Sequence, residues 1–321
     1  MNKRAIGSLF GLLVLVGVVA LVWFNRYNIT DYIILRGYNP PNDISVLAND
    51  DTFNDYSKRL FYVNKPQLLD RSTFGDKCKQ TEQTIVLGCY NGVNIYLFKV
   101  DDPKLEGVEQ VTAAHEMLHA AYGRLSSSER KRVDEMVQTA FKRISDPRII
   151  ALADSYQKQE PGSVPNELHS ILATEVKDIG PELDAYYSRY FNDRSKVVDY
   201  ANGYQKVFDD INLQVEKYDA DLALRKAEIE RREADLETQG KQLQAQKASL
   251  DSLSSNRQNA QYNIQANTYN SDVNSYNNEV AEVQKLVEEY NRLVLIRNAL
   301  NIQQQNLAQN LNSRVDTFTS Q

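Results

Sequence analysis

The segment His115-Glu116-Met117-Leu118-His119 has the residue types and the spacing to bind a metal ion. On an α-helix, residues four apart lie on the same face, so both imidazoles can bind one ion. Two histidines at this spacing are typical zinc ligands, and the glutamate between them is typical of a general base. Apart from Glu116, the residues from Val111 to Tyr122 carry no acidic or basic charge. A buried carboxylate is costly unless it is paired or used, so the segment predicts a metal site, with a chance match on an ordinary helix as the alternative.

A catalytic zinc ion needs a third protein ligand and keeps one position open for water. The segment Asn166–Glu175, NELHSILATE, offers Glu167, His169 and Glu175 as candidates. If this segment is helical, Glu175 lies close to the face of Glu167, whereas His169 points about 200° away from it. The residues alone leave these three alternatives open.

The two motifs together resemble the gluzincins, the thermolysin-like zinc metallopeptidases. In that clan HExxH is followed at a distance by Asn-Glu-x-x-Ser, and here the second motif is Asn166-Glu167-Leu168-His169-Ser170. The resemblance implies that His115, His119 and Glu167 bind zinc. It also implies that Glu116 is the general base in the hydrolysis of a peptide bond.

This resemblance covers about Val93–Phe191, roughly a third of the chain, and it departs from the clan at one position. The clan often has an aspartate four residues after the glutamate ligand, where it orients a ligand histidine. This chain has Ile171 at that position. Glu175 therefore stays an alternative, either as the third ligand or as a group that orients His115 or His119.

An uncharged and largely apolar segment, Ala5–Phe24, follows Lys3 and Arg4 near the start of the chain. A helix of about 20 residues spans the hydrocarbon layer of a membrane, and Trp23 lies where aromatic residues meet the interface. No clear signal-peptidase motif precedes Asn25. We expect an uncleaved single-pass anchor in the cell membrane, with the bulk of the chain outside the cytoplasm and a cleaved signal peptide as the alternative.

Cys78 and Cys89 are the cysteines of the chain, and their spacing does not match a zinc finger. Outside the cytoplasm they can form a disulfide, whose short loop contributes about 2–3 kcal/mol of stability. Two unrelated thiols are the alternative.

Two β-rich runs, Thr84–Tyr90 and Val93–Val100, flank Asn91-Gly92 shortly before the metal motif. Two such runs joined by Asn-Gly predict a β-hairpin. We expect Val93–Val100 either to line the active-site cleft with a free edge that binds an extended peptide, or to be only part of the sheet core. Leu60–Val63 is a further short run of strand type.

The composition changes past Tyr204, where glycine and proline nearly vanish and apolar residues recur every seven positions. The recurring residues are Val215, Leu222, Ile229, Leu236, Leu243 and Leu250, then Val273, Val280, Val287 and Val294. Heptads of this kind predict a coiled coil, and a polar break near 254–260 divides it into two helices of about 50 residues. We expect either an antiparallel hairpin about 75 Å long or one continuous rod that dimerises in parallel.

The chain has 321 residues, a net charge of −6 and a pI near 5.3, so it lacks the basic footprint of a nucleic-acid-binding protein. We expect an α+β fold in which a small zincin-like domain, with an antiparallel sheet and active-site helices, precedes a long α-helical coiled coil. The expected domains are residues 1–24, an N-terminal transmembrane helix, residues 25–204, the metallopeptidase-like domain, and residues 205–321, the coiled-coil arm.

These features favour a membrane-anchored, extracytoplasmic zinc metallopeptidase, with Zn²⁺ as cofactor and a peptide or protein as substrate. The open edge expected of the strand favours an endopeptidase. The coiled coil also allows a homodimer. The alternative is a surface-anchored structural protein with a coiled-coil oligomerisation arm, whose peptidase-like domain is inactive or holds a structural zinc. Ligation by His115, His119, Glu167 and Glu175 together would favour that alternative, because closed four-ligand sites are structural.

Overall fold

The structure is a computed structural model that describes residues 3–78 and 86–314, with side chains from residue 12 onward. These residues are mostly helical, with a small sheet and a pair of long helices, which agrees with the expected α+β class. The helices are α1 (Lys3–Phe24), α2 (Arg26–Leu35), α3 (Asn42–Ala48), α4 (Asp55–Val63), α5 (Arg71–Lys77), α6 (Val108–Gly123), α7 (Ser127–Phe141), α8 (Pro147–Gln159), α9 (Val164–Glu175), α10 (Pro181–Tyr187), α11 (Arg194–Ser255) and α12 (Asn259–Leu311). The strands are β1 (Gln67–Leu69), β2 (Gly88–Tyr90) and β3 (Ile95–Phe98).

The chain divides into two compact units. One consists of Met1–Val207 with Leu307–Gln321, and we call it the site unit because it contains both metal motifs. The other is Phe208–Asn306, and we call it the hairpin unit.

The sheet of the site unit is mixed rather than purely antiparallel as expected. Within the described residues its order is β1-β3-β2, with β1 parallel and β2 antiparallel to β3. The β2–β3 pair confirms the predicted hairpin, although Thr84 and Ile85 of the first predicted run lie outside the described residues. The parallel partner was missed because β1 has three residues, too few to show an alternating pattern.

Of the two alternatives for Val93–Val100, the sheet core is correct and the free edge is wrong, and the strand expected at Leu60–Val63 is also wrong. Strand β3, within Val93–Val100, is the central strand, so it cannot offer a free edge to a substrate. Leu60–Val63 belongs to α4, whose first turn is capped by the Asn54 side chain accepting from Ser57 N. Leu60, Phe61 and Val63 are buried there, because a helix can bury several neighbouring side chains when its whole inner side faces a core.

Helix α6 lies at the centre of the site unit, packed against α9, α4 and the sheet. Its inner residues are small or slender, and Ala113, Ala114 and Met117 are fully buried. Small side chains let α9 approach closely, which brings the two metal motifs together. The helix begins after Gly107, whose φ of 94° suits glycine.

The N-terminal helices α1 and α2 are the candidates for a membrane span. Among the described residues no single helix is long and apolar enough to cross a membrane, but Leu12–Phe24 and Arg26–Leu35 have the length and composition as a pair bent by 59° at their break. The expected single transmembrane helix therefore stays a prediction.

The hairpin unit is formed by two antiparallel helical segments, from α11 and α12. Three cross-helix pairs share its register: Asp219 with Arg297, Arg232 with Glu279, and Gln246 with Asp272. The helices are joined through Asn256–Gln258, where Arg257 has a φ of 57°. The chain thus fills its own helix–helix seam, partly with polar layers.

Candidate metal centre

The two histidines of the HExxH motif lie one turn apart on α6, with ring centroids separated by 4.7 Å. Glu167 lies in the first turn of α9, which packs across α6. Pro165 precedes it in that turn, where the missing proline N–H costs no helical hydrogen bond. The contact between α6 and α9 therefore brings residues about 50 positions apart in the sequence to one point.

The Glu167 carboxylate faces both imidazoles at once. His115 Nε2 lies 3.4 Å from Oε2, and His119 Nε2 lies 3.5 Å from Oε1. Ligands bonded to one tetrahedral zinc at about 2.0–2.1 Å are separated by about 3.3 Å from one another. The donor set and its spacing therefore fit a zinc ion held by two histidines and one glutamate.

Glu116 lies beside this centre and is almost fully buried, at 4% exposure. His115, Glu116 and His119 offer ligand atoms that all lie within 4.8 Å of one another. On its other side Glu116 abuts β2, since a Cβ added at Gly88 would lie 2.7 Å from Glu116 Oε1 and 2.6 Å from Thr112 Cγ2. A side chain at position 88 would therefore have to displace the Glu116 or Thr112 side chain.

Further contacts hold the ligand side chains. Ser170 Oγ lies 3.4 Å from His119 Nδ1, so this hydroxyl can fix the ring while Nε2 faces Glu167. Burial alone would raise the pKa of Glu167, but His119, His115 and a hydrogen bond from Tyr156 together hold it below its usual range. Glu167 is thus a carboxylate, the form that binds metal.

His169 points away from the metal centre, as its position on the helix face indicated. It is fully buried among tyrosines, with Nε2 3.1 Å from Tyr186 Oη, and its backbone oxygen accepts from Tyr187 Oη at 2.6 Å. Burial lowers the pKa of His169 to about 3, so it is neutral. Tyr186 and Tyr190 are also buried, and their hydroxyls contact each other.

Glu175 lies two turns beyond Glu167, about 12 Å along the helix. Its Oε2 accepts from Arg148 Nη1 at 2.5 Å. This arrangement separates Glu175 from the histidines and gives it a different cationic partner. Among the described residues, the donors that converge are therefore His115, His119 and Glu167, with Glu116 beside them.

Comparison with protein-family models, with curated proteins and with solved structures found no significant match to this chain.

Gly88, Ser170 and Tyr156 were not predicted from the sequence to have roles in the site. Gly88 stands in a strand-like run before the motif, and nothing in the sequence marks it as touching Glu116. Ser170 was part of the second motif, and its position one turn after Glu167 was the signal available. Tyr156 lies across a loop from Glu167, and no spacing in the sequence indicates their hydrogen bond.

Proposed function

We propose that this protein is a membrane-anchored zinc metallopeptidase that hydrolyses peptide bonds. The observation that carries the proposal is the Glu167 carboxylate lying 3.4 and 3.5 Å from the Nε2 atoms of His115 and His119. Three protein ligands leave a position open, which is typical of a catalytic site. Glu175, which closed four-ligand binding would require, is bound to Arg148 instead.

His115, His119 and Glu167 would hold the zinc. When bound, zinc supplies Lewis acidity, which polarises a carbonyl and lowers the pKa of water at the open position. Glu116 would be the general base: its carboxylate would take a proton from the attacking water as the water oxygen bonds to the carbonyl carbon, and would pass that proton to the amine nitrogen as the C–N bond breaks. Its burial keeps solvent from competing for this proton, and the wall formed by Gly88 and Thr112 keeps the carboxylate in place.

The edge of the sheet provides a place for an extended peptide. Within residues 3–78 and 86–314, β2 pairs with β3 alone, so a peptide can add to its outer edge by strand pairing. Gly88 on this strand touches Glu116. A peptide bound along β2 therefore passes close to the general base, which favours cleavage inside a chain rather than at its end.

The direct test is Glu116→Gln. We expect the variant to bind one zinc ion as tightly as the parent, while its casein hydrolysis falls by about 100-fold or more, because only the proton transfer is removed. Zinc is measured by chelator competition and hydrolysis by release of labelled peptide. Glu135→Gln, an exposed residue of α7, is the matched control and should change neither quantity.

Ligand variants separate this proposal from the non-catalytic alternative. Glu167→Ala should lose zinc, whereas Glu175→Gln should keep it. If the parent chain binds no zinc, or if it binds zinc and Glu116→Gln cleaves as fast as the parent, the peptidase proposal is wrong. Loss of zinc in Glu175→Gln together with absent hydrolysis would favour a structural site.

We also propose that α1 anchors the chain in the cell membrane, with the site unit outside the cytoplasm. The residues of α1 from Leu12 to Phe24 are apolar and exposed, apart from the intermediate Ala20. The disulfide between Cys78 and Cys89, whose Cα atoms are 6.0 Å apart, suits an oxidising compartment. The hairpin unit is proposed to be an intramolecular coiled coil, and a homodimer through it stays a prediction that sedimentation can test.

A further inference from the structure

Helix α2 has a buried position at Asp31 and exposed side chains opposite it. Asp31, on the inner face, is 1% exposed, whereas Ile29 and Ile33 are 42% and 65% exposed. At 100° per residue, Arg26, Ile29 and Ile33 all point within about 40° of the direction opposite Asp31. Arg36, also exposed, follows the last residue of the helix. The outer face therefore presents two exposed isoleucines, with a cation near each end of the helix.

The inner face is fixed to the catalytic helix by a buried ion pair. Arg124, the C-cap residue of α6, donates from both terminal nitrogens to the Asp31 carboxylate at 2.7 and 2.8 Å. Arg59 of α4 adds a longer contact of 3.7 Å to the same carboxylate. Bidentate arginine–carboxylate pairs fix orientation as well as distance, so α2 and α6 are held in one arrangement.

We propose that α2 lies on the surface of the lipid bilayer as an interfacial helix and holds the metal centre beside it, so that the site takes peptide segments next to membrane spans. This inference rests on the proposed function, both for the anchor and for the peptidase activity. It adds a substrate class that neither the motif nor the fold defines.

The lipid surface is the occupant that the chain itself indicates. Helix α2 follows α1 after the single residue Asn25, and α1 exposes apolar side chains, among them Leu21 and Phe24 at 65% and 82%. The Arg26 guanidinium lies over the rings of Trp23 and Tyr27, at 4.9 and 4.4 Å. Aromatic and cationic residues of this kind collect at the level of the lipid headgroups.

The bend between the helices sets the direction of α2. A spanning helix tilts by about 20° from the membrane normal on average, and α2 departs from α1 by 59°. Helix α2 does not extend the span, because Asp31 is paired with Arg124 of the site unit rather than exposed to hydrocarbon. Helix α2 is therefore strongly inclined away from the membrane normal, and its outer face is turned towards the headgroups.

The ion pair between Asp31 and Arg124 limits the distance between the metal centre and the lipid. His119 lies five residues before Arg124, about 7.5 Å along the axis of α6. A helix is about 10 Å wide, and an interfacial helix sinks about 5–10 Å into the headgroup layer. With the Arg124 and Asp31 side chains between the two helices, the metal centre lies within roughly 30 Å of the headgroups, a distance that about nine extended residues cover.

The position of α2 is tested by fluorescence, because Trp23 is the single tryptophan of the chain. The full-length W23F/I33W variant is placed in nanodiscs of phosphatidylcholine and phosphatidylglycerol with brominated acyl chains. We expect blue-shifted emission from position 33 and quenching comparable to that of native Trp23. The W23F/V46W variant, with a reporter at an exposed site of α3, should be unquenched.

Two fluorescence outcomes overturn the proposal. One is emission from position 33 that matches position 46. The other is a blue shift without quenching, which would mean that a second copy or another protein covers this face. Quenching of Trp23 separately reports whether α1 lies in lipid, so failure of the anchor and failure of the inference are distinguishable.

The substrate class is tested with single-span substrates reconstituted in the same nanodiscs. A cleavable sequence begins about 5, 10 or 30 residues from the span. We expect the two near sites to be cleaved about ten-fold faster than the far one, since tethering raises the effective concentration only within reach. Equal rates at all three spacings overturn the inference, while casein hydrolysis that requires Glu116 leaves the proposed function intact.

Discussion

At the scale of single residues, the centre depends on neighbours that do not themselves perform chemistry. Gly88 is the sharpest case, because the space that its missing side chain leaves is occupied by Glu116 and Thr112. Thr112 is β-branched and lies in the middle of α6, so it has little freedom to move aside. The general base is therefore positioned by a residue of the opposite element.

Gly88→Ala should separate positioning of the base from binding of the metal. The added methyl group would lie 2.7 Å from Glu116 Oε1 and must displace it. Because displacements of about 1 Å can cost 100-fold in rate, we expect kcat to fall by about 10- to 100-fold while zinc affinity stays within about two-fold. Gly123→Ala is the control, since nothing lies within 4 Å of its added Cβ. An unchanged kcat in Gly88→Ala would refute this role.

Ser170 is expected to be the residue that orients His119 in place of the aspartate that Ile171 replaces. Its hydroxyl lies 3.4 Å from Nδ1, and partners of this kind typically change metal affinity by about 10- to 100-fold. Ser170→Ala should weaken zinc binding by about that factor in a chelator competition assay. Ser170→Thr keeps the hydroxyl and should restore most of the affinity. Equal affinity in the alanine variant and the parent would contradict the assignment.

The ligand residues could be proposed from the sequence, whereas their supports could not. His115, Glu116 and His119 can be recognised from the sequence because positions four apart on a helix lie on the same face. The placement of Glu167 against them requires the packing of α9 on α6, which residue spacing does not contain. Ser170 and Gly88 depend on that same packing and on the approach of β2, so their roles become visible only in three dimensions.

At the scale of elements, β2 is the part of the site with the weakest local support. It has three residues, and within the described chain it pairs with β3 alone. Its Cys89 is disulfide-bonded to Cys78 at the end of α5. Cys78 packs with Phe74, Tyr96 and Phe98 in a small second core. The disulfide therefore ties the strand that faces Glu116 to a helix with its own buried contacts.

Replacing both cysteines by serine should lower the free energy of unfolding by about 3 kcal/mol, the loop-entropy value for residues 11 positions apart. Because β2 is the element released, hydrolysis should fall more than zinc affinity, which depends on α6 and α9. Urea unfolding measures the loss of stability, and the hydrolysis and zinc-competition assays measure the other two quantities. A variant that loses zinc as readily as activity would show that the tie supports the whole centre.

The elements differ in how far the sequence predicted them. The β2–β3 hairpin followed from Asn91-Gly92, because turn chemistry is local. The parallel neighbour β1 and the central place of β3 did not follow, because pairing across a sheet is decided by distant packing. Leu60–Val63 was assigned to a strand since its apolar run is short, and such runs look alike in helices and strands.

At the scale of the whole molecule, the hairpin unit contains the residue pairs that set the register of its two helices. The residues that interrupt its heptads are matched across the helices, for example Arg232 with Glu279 and Gln246 with Asp272. Partly buried polar pairs of this kind fix register at some cost in stability. The sequence showed the interrupted seam but left open whether its partner was the same chain, because heptads specify a contact face and not the molecule that fills it.

The chain returns from the hairpin unit to the site unit. Within the site unit, Asn310 Nδ2 donates to Asp102 Oδ2 at 2.8 Å, and Arg71 Nη2 donates to the backbone oxygen of Gln309 at 2.7 Å. Ser313 Oγ donates to the backbone oxygen of Val86, two residues before β2. The last described residues therefore support the sheet, so a simple truncation before Leu307 would remove part of the site unit.

Excision of Phe208–Asn306 with a short Gly/Ser linker joining Val207 to Leu307 is the cleaner change. Such a linker can close the gap because Gln304 Nε2 donates to Asn212 Oδ1 at 2.6 Å, which places the two helices side by side near the cut. All proposed ligands and the general base lie in the site unit, so zinc affinity and cleavage of a short peptide should stay within about two-fold of the parent. Cleavage of a large protein substrate, measured in parallel, then decides the role of the hairpin unit. A selective loss of cleavage of the large substrate means that the hairpin unit recruits substrate, and equal rates mean that it does not. Loss of zinc in a folded variant would contradict the division of the chain into independent units.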